Sequence, residues 1–297
     1  MIDNEFLLFD RLQKIKSVVN QYGEENFYIS FSGGKDSTVL SELVDMALPD
    51  NKIPRVYANT GIELNMVRDF VLDKAKVDDR IIILKPSVPI QTMLKSEGYP
   101  FKSKEHSHVL DIYQRNGMGG KTVPRYLEAR EGYGNRYRCP KMLEYQFTKD
   151  FKLRISDKCC VKMKEKPLAT WAKEHHKPCR MLGIMPSEGG RRATTKCLAF
   201  KNGGKIVSFH PLSVVSKDWE DWFISAHNIK ICDIYNAPYN FDRTGCKGCP
   251  FNIYLQHELD ILEEYFPAER KQCETIWKPV YDEYRRLGYR LKNNLNK

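Results

Sequence analysis

The stretch Phe27-Tyr28-Ile29-Ser30-Phe31-Ser32-Gly33-Gly34-Lys35-Asp36-Ser37 decides the fold. Its first five residues are mostly apolar and aromatic and read as a buried strand. Ser32-Gly33-Gly34 end that strand, and a helix follows through Val39, Leu40, Leu43, Val44 and Met46. A glycine turn between a strand and a helix presents backbone N–H groups to a phosphate, and the helix N-terminus adds a favourable dipole. Gly33 and Gly34 permit the tight backbone this needs. Ser30, Ser32 and Ser37 can donate hydroxyl hydrogen bonds, and Lys35 supplies a point charge. Asp36 offers carboxylate oxygen to Mg²⁺, a hard ion.

Outward from this unit the alternation continues. Residues 5–22 approximate a helical face through Phe6, Leu7, Phe9, Leu12, Ile15, Val18 and Val19, with Gly23 as its stop. Arg55-Val56-Tyr57-Ala58 is a short strand ending at Asn59-Thr60-Gly61. A helix from about Met66 to Val77, a strand Ile81-Ile82-Ile83-Leu84 and a helix over 88–96 follow. Strands alternating with helices predict an α/β protein with a parallel sheet and right-handed crossovers. Residues 97–138 are rich in glycine and charge and read as an irregular insertion, either an active-site flap or a solvated loop. Later strands are expected at 180–185 and 205–210, and a helix at 218–228. From Ile253 to Leu287 the pattern is helical, interrupted at Pro267 and Pro279. The expected division is a nucleotide-binding α/β domain over 1–215, including the insertion, and a helical C-terminal segment over 216–297.

The 297 residues suffice for one large domain or two small ones. The formal net charge is +10, which suits anionic partners such as nucleotides or nucleic acid, or reflects a merely basic surface. No run approaches the roughly 20 apolar residues of a membrane span, and Met1-Ile2-Asp3-Asn4-Glu5 is unlike a signal peptide. The expectation is a cytoplasmic protein with no membrane partner. Nine cysteines are many for such a chain, and a reducing compartment argues against structural disulfides. Cys159-Cys160 are adjacent, and 85 residues separate Cys160 from Cys246-Lys247-Gly248-Cys249. The pairs could be a redox dithiol, a zinc site or an iron–sulfur site. Four thiolates suffice for zinc or for a [4Fe–4S] cluster, though structural zinc sites usually space their ligands by two to four residues.

The glycine loop is not a Walker A loop, because Asp36 separates Lys35 from Ser37. It resembles the PP-loop of the N-type ATP pyrophosphatases, whose pattern is Ser-Gly-Gly-x-Asp-Ser. The cysteine frame resembles the adenylylsulfate/phosphoadenylylsulfate reductase family. Tyr57 to Glu63, Asp157 to Cys160 with Lys166-Pro167-Leu168, and Gly183 to Arg192 are similar to that family's segments. So are His210-Pro211-Leu212, Trp219 to Trp222, Tyr235-Asn236 and Arg243-Thr244-Gly245-Cys246. The resemblance implies an adenine nucleotide alpha hydrolase-like, PP-loop type of fold. It implies that Cys159, Cys160, Cys246 and Cys249 ligate a [4Fe–4S] cluster. It further implies a nucleotide held by the loop together with Asn59, Thr60, Gly61, Arg191 and Arg192, with Lys35 and Asp36 at the reacting phosphates. Cys139, Cys179, Cys197, Cys232 and Cys273 have no counterpart and read as structural.

The chain departs from the reductase pattern in three places. Reductases of this family carry a tail with Glu-Cys-Gly-x-His whose cysteine attacks sulfur, whereas no cysteine follows Cys273 here. The loop keeps a full Gly-Gly-Lys-Asp-Ser, which favours ATP with Mg²⁺ over a sulfonucleotide. Met185 stands where the family's first substrate arginine would be. An ATP-type loop beside a cluster resembles enzymes that activate an oxygen as its adenylate and then install sulfur, such as tRNA thiolation enzymes and the ATP pyrophosphatase component of DNA phosphorothioation. That implies cleavage of ATP to AMP and pyrophosphate, a nucleic-acid acceptor and a sulfur-donor protein. Lys102, Lys104, Lys121, Arg125, Arg130, Arg136 and Arg138 interleave with Tyr126, Tyr133 and Tyr137 in the insertion, as a strand-binding surface or as a basic flap over the nucleotide. Two other readings stand beside this one: a sulfonucleotide reductase using another cysteine such as Cys273, and a non-catalytic nucleotide-binding module.

Overall fold

The computed structural model describes residues 4–128, 138–188, 194–201 and 203–292. Its helices are α1 Asn4–Tyr22, α2 Lys35–Ala47, α3 Asn65–Ala75, α4 Ile90–Glu97, α5 Lys104–Asn116, α6 Thr122–Leu127, α7 Lys158–Cys160, α8 Lys166–Glu174, α9 Lys217–Ala226, α10 Leu255–Tyr265 and α11 Pro267–Leu287. Its strands are β1 Phe27–Phe31, β2 Arg55–Ala58, β3 Ile81–Leu84, β4 Cys179–Met181, β5 Leu198–Phe200 and β6 Ile206–Phe209. Two compact units share these elements. The first comprises Met1–Asn59, Glu63–Pro86 and Lys164–Thr244, and the second Thr60–Ile62, Ser87–Met163 and Gly245–Lys297. The boundary at 215/216 read from the sequence falls inside the first unit.

The first unit holds the sheet, in the order β3-β2-β1-β4-β6-β5. β1 pairs in parallel with β2 and β4, β2 with β3, and β4 with β6, while β5 runs antiparallel to β6. This is the helix-flanked parallel α/β architecture expected from the alternation. The chain builds outward from β1 on one side and resumes at β4 on the other, so a topological switch point lies between the two strands. β5 has only three residues, none fully buried, which is why hydrophobic patterning did not reveal it.

Period-2 alternation divides the two faces of this sheet. Phe27, Ile29 and Phe31 of β1, Met181 of β4 and Phe209 of β6 turn to one face. There they pack with Ile15, Val18 and Val19 of α1, Val39, Leu40, Leu43 and Val44 of α2, and Trp219 and Phe223 of α9. Burying each large apolar side chain contributes about 1.5–3 kcal/mol. On the other face Tyr28 and Val56 pack under Trp171 of α8, with Leu168 and Ala172 beside it. Tyr28 and Trp171 meet edge to face at 5.7 Å.

In the second unit the stretch 97–138 is not the irregular insertion expected from its glycines and charges. It contains α5 and α6, and residues 129–137 lie outside the described residues. The Ser103 side chain caps α5 by accepting from the His106 N–H at 3.1 Å. The helix then buries polar side chains, which hides it from a hydrophobic pattern: His106 and Ser107 are as buried as Val109 and Leu110. His106 lies between Tyr126 Oη at 3.0 Å and Gln146 Oε1 at 2.8 Å, and burial lowers its pKa to about 4, so it is neutral. Pro267 stands at the start of α11, where its missing N–H costs nothing, and Pro279 lies inside that helix without ending it. No described helix is long and apolar enough to cross a membrane.

Candidate functional site

The glycine loop sits at the switch point. β1 delivers Ser30 and Ser32 to the C-terminal end of the sheet, and α2 starts at Lys35 with Gly34 as its N-cap. Gly33 has φ +72°, and a Cβ there would lie 2.4 Å from Val71 Cγ2, so only glycine fits. Across the switch point Gly183 follows β4, and a Cβ on it would lie 2.7 Å from the Asp36 carbonyl oxygen. The end of β4 approaches the start of α2 this closely because Gly183 lacks a side chain.

The loop is held by its own hydroxyls. Ser32 Oγ and Ser37 Oγ are 2.9 Å apart, the Gly34 N–H donates to Ser32 Oγ at 3.2 Å, and Ser37 Oγ donates to the Gly34 carbonyl at 3.0 Å. These two serines shape the turn before any ligand arrives. Lys35 Nζ pairs with Asp221 of α9 at 2.9 Å and lies 5.9 Å from the centre of the Tyr235 ring. Tyr235 Oη and Thr244 Oγ1 are 2.6 Å apart, and burial pushes the Tyr235 phenol up to about 12. Behind the loop stands Glu220, 1% exposed, with no hydrogen-bond partner for Oε1 among the described residues. Burial raises its pKa to about 8, and the neighbouring Asp36, with which it shares a hydrogen bond, acts in the same direction against Lys35.

Around the loop lies a cavity of 250 Å³ lined by Ser30, Ser32, Gly34 to Ser37, Leu182 to Ile184, Tyr235 and Asp242 to Thr244. One lysine, one arginine and two aspartates thus line this space together with serine, threonine and tyrosine hydroxyl residues. A glycine loop that opens a helix at a switch point, outside the carboxyl ends of parallel strands, is a place where α/β proteins can bind ligands.

The other predicted ligands are distributed differently. Asn59 extends β2, donating its N–H to the Leu84 carbonyl at 2.8 Å, and is not among the cavity-lining residues. Thr60 and Gly61 belong to the second unit. Arg191 and Arg192 lie outside the described residues, as do Arg130, Tyr133, Arg136 and Tyr137 of the basic stretch. Glu220, Asp221, Asp242 and Thr244 were not foreseen as site residues. Their positions depend on where α9 and the segment before Cys246 fold back, which local sequence does not encode. The available signals were the resemblance of Trp219 to Trp222 and of Arg243-Thr244 to family segments.

The four motif cysteines all lie in the second unit. Cys159 is buried, and Cys160, Cys246 and Cys249 are half-buried. Burial pushes the Cys249 thiol up, and the neighbouring Cys246 and Cys160 thiols add to the shift, so these three sulfurs lie within electrostatic reach of one another. Among the described residues, however, no three His, Cys, Asp or Glu side chains are arranged to hold a metal ion. The donor chemistry suits a cluster; the side-chain arrangement is not that of a formed site. The turn between Cys246 and Cys249 is clamped by α11. Trp277 Nε1 donates to the Lys247 carbonyl at 3.0 Å, Tyr281 Oη donates to the Gly248 carbonyl, and Lys247 pairs with Glu269 at 2.9 Å in a buried bridge. Gly248 has φ +59°, and a Cβ there would meet Tyr281 Oη at 2.3 Å.

A phosphoadenosine phosphosulfate reductase domain model matches residues 128–252. The match spans less than half of the chain; it bears out the resemblance to that domain, while the iron–sulfur motif is not shown by it. The matched residues include Cys159, Cys160, Gly183, Tyr235 and Cys246 to Cys249, and the glycine loop precedes them. Solved structures resemble the chain at low identity. Phosphoadenylyl-sulfate reductase from Candida auris matches at 10% identity and TM-score 0.41, covering 75% of this chain and 88% of that one. FMN adenylyltransferase from Candida glabrata, in complex with ATP, matches at 12% and 0.42, covering 77% of this chain and 58% of that one. A U34-tRNA thiolase from Methanococcus maripaludis with its [4Fe-4S] cluster matches at 13% and 0.38, covering 96% and 80%. At these values none of the three bears on substrate or reaction. No curated protein matches the chain.

Proposed function

We propose that this chain is an enzyme that binds ATP with Mg²⁺ on the loop Ser30 to Ser37 and cleaves it to AMP and pyrophosphate, activating an acceptor for sulfur transfer. The observation that carries this reading is the complete Ser-Gly-Gly-Lys-Asp-Ser loop, closed by its own hydroxyls, at the switch point beside a 250 Å³ cavity. An acceptor oxygen attacks the α-phosphorus, the bond to the bridging oxygen breaks, and pyrophosphate leaves with that electron pair. The loop amides and Lys35 face the charge that grows on the leaving group. For Lys35 this means exchanging Asp221 for phosphate oxygen. Mg²⁺, when bound, neutralises phosphate charge, and Asp36 is the loop residue that would hold it. A sulfur donor then displaces AMP from the adenylate.

Cys159, Cys160, Cys246 and Cys249 are the residues that would hold a [4Fe–4S] cluster, which can carry sulfur or electrons. Iron and sulfide counting after anaerobic purification tests this, and a protein with neither removes the cluster from the reading. The alternative sulfonucleotide reductase would need a reactive thiol. Against Cys273 in that role, it is 0% exposed and burial pushes its thiol up to about 12, whereas nucleophilic cysteines are accessible and have depressed values.

Chromatography of ATP incubated with Mg²⁺ and candidate acceptors tests the main reading. We expect AMP and pyrophosphate in equal amounts, with Lys35→Ala lowering the rate at least ~100-fold, the size typical of removing one charge-stabilising donor. Release of ADP instead, or full activity in Lys35→Ala, would overturn it.

A further inference from the structure

A second concavity lies on the face of the first unit's sheet that carries α8. That helix covers β1 and β2 through Trp171. The β4–β6–β5 half of the same face is left open between α8 and the β5–β6 hairpin, forming a groove of 1050 Å³. This is at the upper end of the roughly 300–1,000 Å³ of small-molecule pockets, so an extended ligand suits it better. Five cations line it: Lys173, Lys177, Arg180, Lys201 and Lys205. Among the described residues no carboxylate does. Strand alternation puts Arg180 here, because its neighbours Cys179 and Met181 turn to the main core. Lys201 and Lys205 face each other across the hairpin, joined by a backbone hydrogen bond of 2.9 Å. Among the described residues none of the five cations makes an ion pair. Glu24 and Glu25 act on Lys177, opposing the lowering of its pKa by burial.

The groove floor is apolar, through Leu182, Ile184, Ile206 and Val207. Leu182 and Ile184 also line the loop cavity, so the groove and that cavity adjoin at the end of β4. A charged rim over an apolar floor fits a phosphodiester strand, with phosphates at the lysines and arginine and base faces on the floor. A purely acidic peptide such as polyglutamate supplies charge but no flat apolar faces.

We propose that this groove binds a single strand of nucleic acid and leads it to the nucleotide at the glycine loop, making the strand the acceptor. This rests on the ATP-cleaving reading above. The test uses fluorescein-labelled single-stranded RNA and DNA of about 15 nucleotides, a length within the span such grooves cover, and reads anisotropy over a range of KCl. The variant Lys173→Ala/Arg180→Ala/Lys205→Ala is expected to bind at least ~10-fold more weakly, with a salt slope shallower by about 2 for three lost phosphate contacts. Circular dichroism melting checks that it is folded, and Lys201→Ala/Lys205→Ala on the exposed hairpin serves if it is not. The RNA and DNA arms identify which strand is preferred. Unchanged affinity and slope in a folded variant overturn the proposal, as does polyglutamate displacing the probe as well as unlabelled strand does. Lys35→Ala separates the two readings: it should keep strand binding while losing ATP cleavage. If the groove binds strand but no strand stimulates ATP cleavage, the assignment of the strand as acceptor fails, and the groove remains a strand-binding surface.

Discussion

At the residue scale the site is set by close approach and by one buried carboxyl. Gly33 and Gly183 were both in segments singled out from the sequence, but the reasons differ. Gly33 is needed for its positive φ and for Val71 behind it, the kind of requirement a strand–turn–helix pattern reveals. Gly183 is needed because the Asp36 carbonyl lies against it, a contact between residues far apart in sequence. Glu220 was not legible at all, since a glutamate in a tryptophan-rich helix looks like a surface residue. Its raised pKa has a consequence for stability. Protons are bound more tightly by the folded protein than by the unfolded chain between the ordinary glutamate range and about 8. Stability from this group is therefore full at acid pH and falls as the pH rises through that window. Melting temperatures of the protein without Mg²⁺ and nucleotide should decline from pH 6 to pH 8.5. Glu220→Gln, permanently neutral, should flatten that decline; an identical slope in both proteins would show that Glu220 does not titrate there.

At the element scale the motif cysteines depend on a helix remote from them in sequence. The turn from Cys246 to Cys249 has no regular structure of its own, and α11 holds it through Trp277 and Tyr281. Trp277 is 0% exposed and Trp277→Ala should cost about 3–5 kcal/mol in denaturant unfolding. Trp277→Phe keeps most of the packing and loses the indole N–H, so about 1 kcal/mol or somewhat more is expected from the unpaired Lys247 carbonyl. Equal costs for the two variants would mean that the hydrogen bond, not the packing, holds the turn. α11 itself was visible as a helical pattern, but Pro279 suggested an interruption that does not occur. The helix persists because Trp277, Val280, Tyr281 and Tyr284 bury a continuous stripe around the proline. α5 was missed for the opposite reason: its buried stripe includes histidine and serine.

At the scale of the whole molecule, the sheet order places the loop and the end of β4 around one cavity. Hydrogen exchange with a non-hydrolysable ATP analogue and Mg²⁺ should therefore slow amides in three separate segments: residues 32–38, 182–184 and 242–244. Protection confined to the first segment would mean that the ligand does not fill this cavity. The net charge of +10 is likewise a whole-molecule property that acquires a location only in the fold, with five cations gathered along one groove of the first unit.

The sequence by itself determined the strand–loop–helix unit and the parallel α/β class, and it raised the expectation of a phosphate at the loop. These follow from local pattern and from backbone freedom, which adjacent residues specify. It also supplied the four-cysteine frame, although not a geometry for it. Only the tertiary structure decided that β4 lies beside β1, that Gly183, Tyr235 and Thr244 share the loop's cavity, that Glu220 is buried against Asp36, and that one half-face of the sheet is an open cationic groove. The physical reason is that strand order and helix docking come from burial summed over residues more than a hundred positions apart. Local propensity carries no record of that sum.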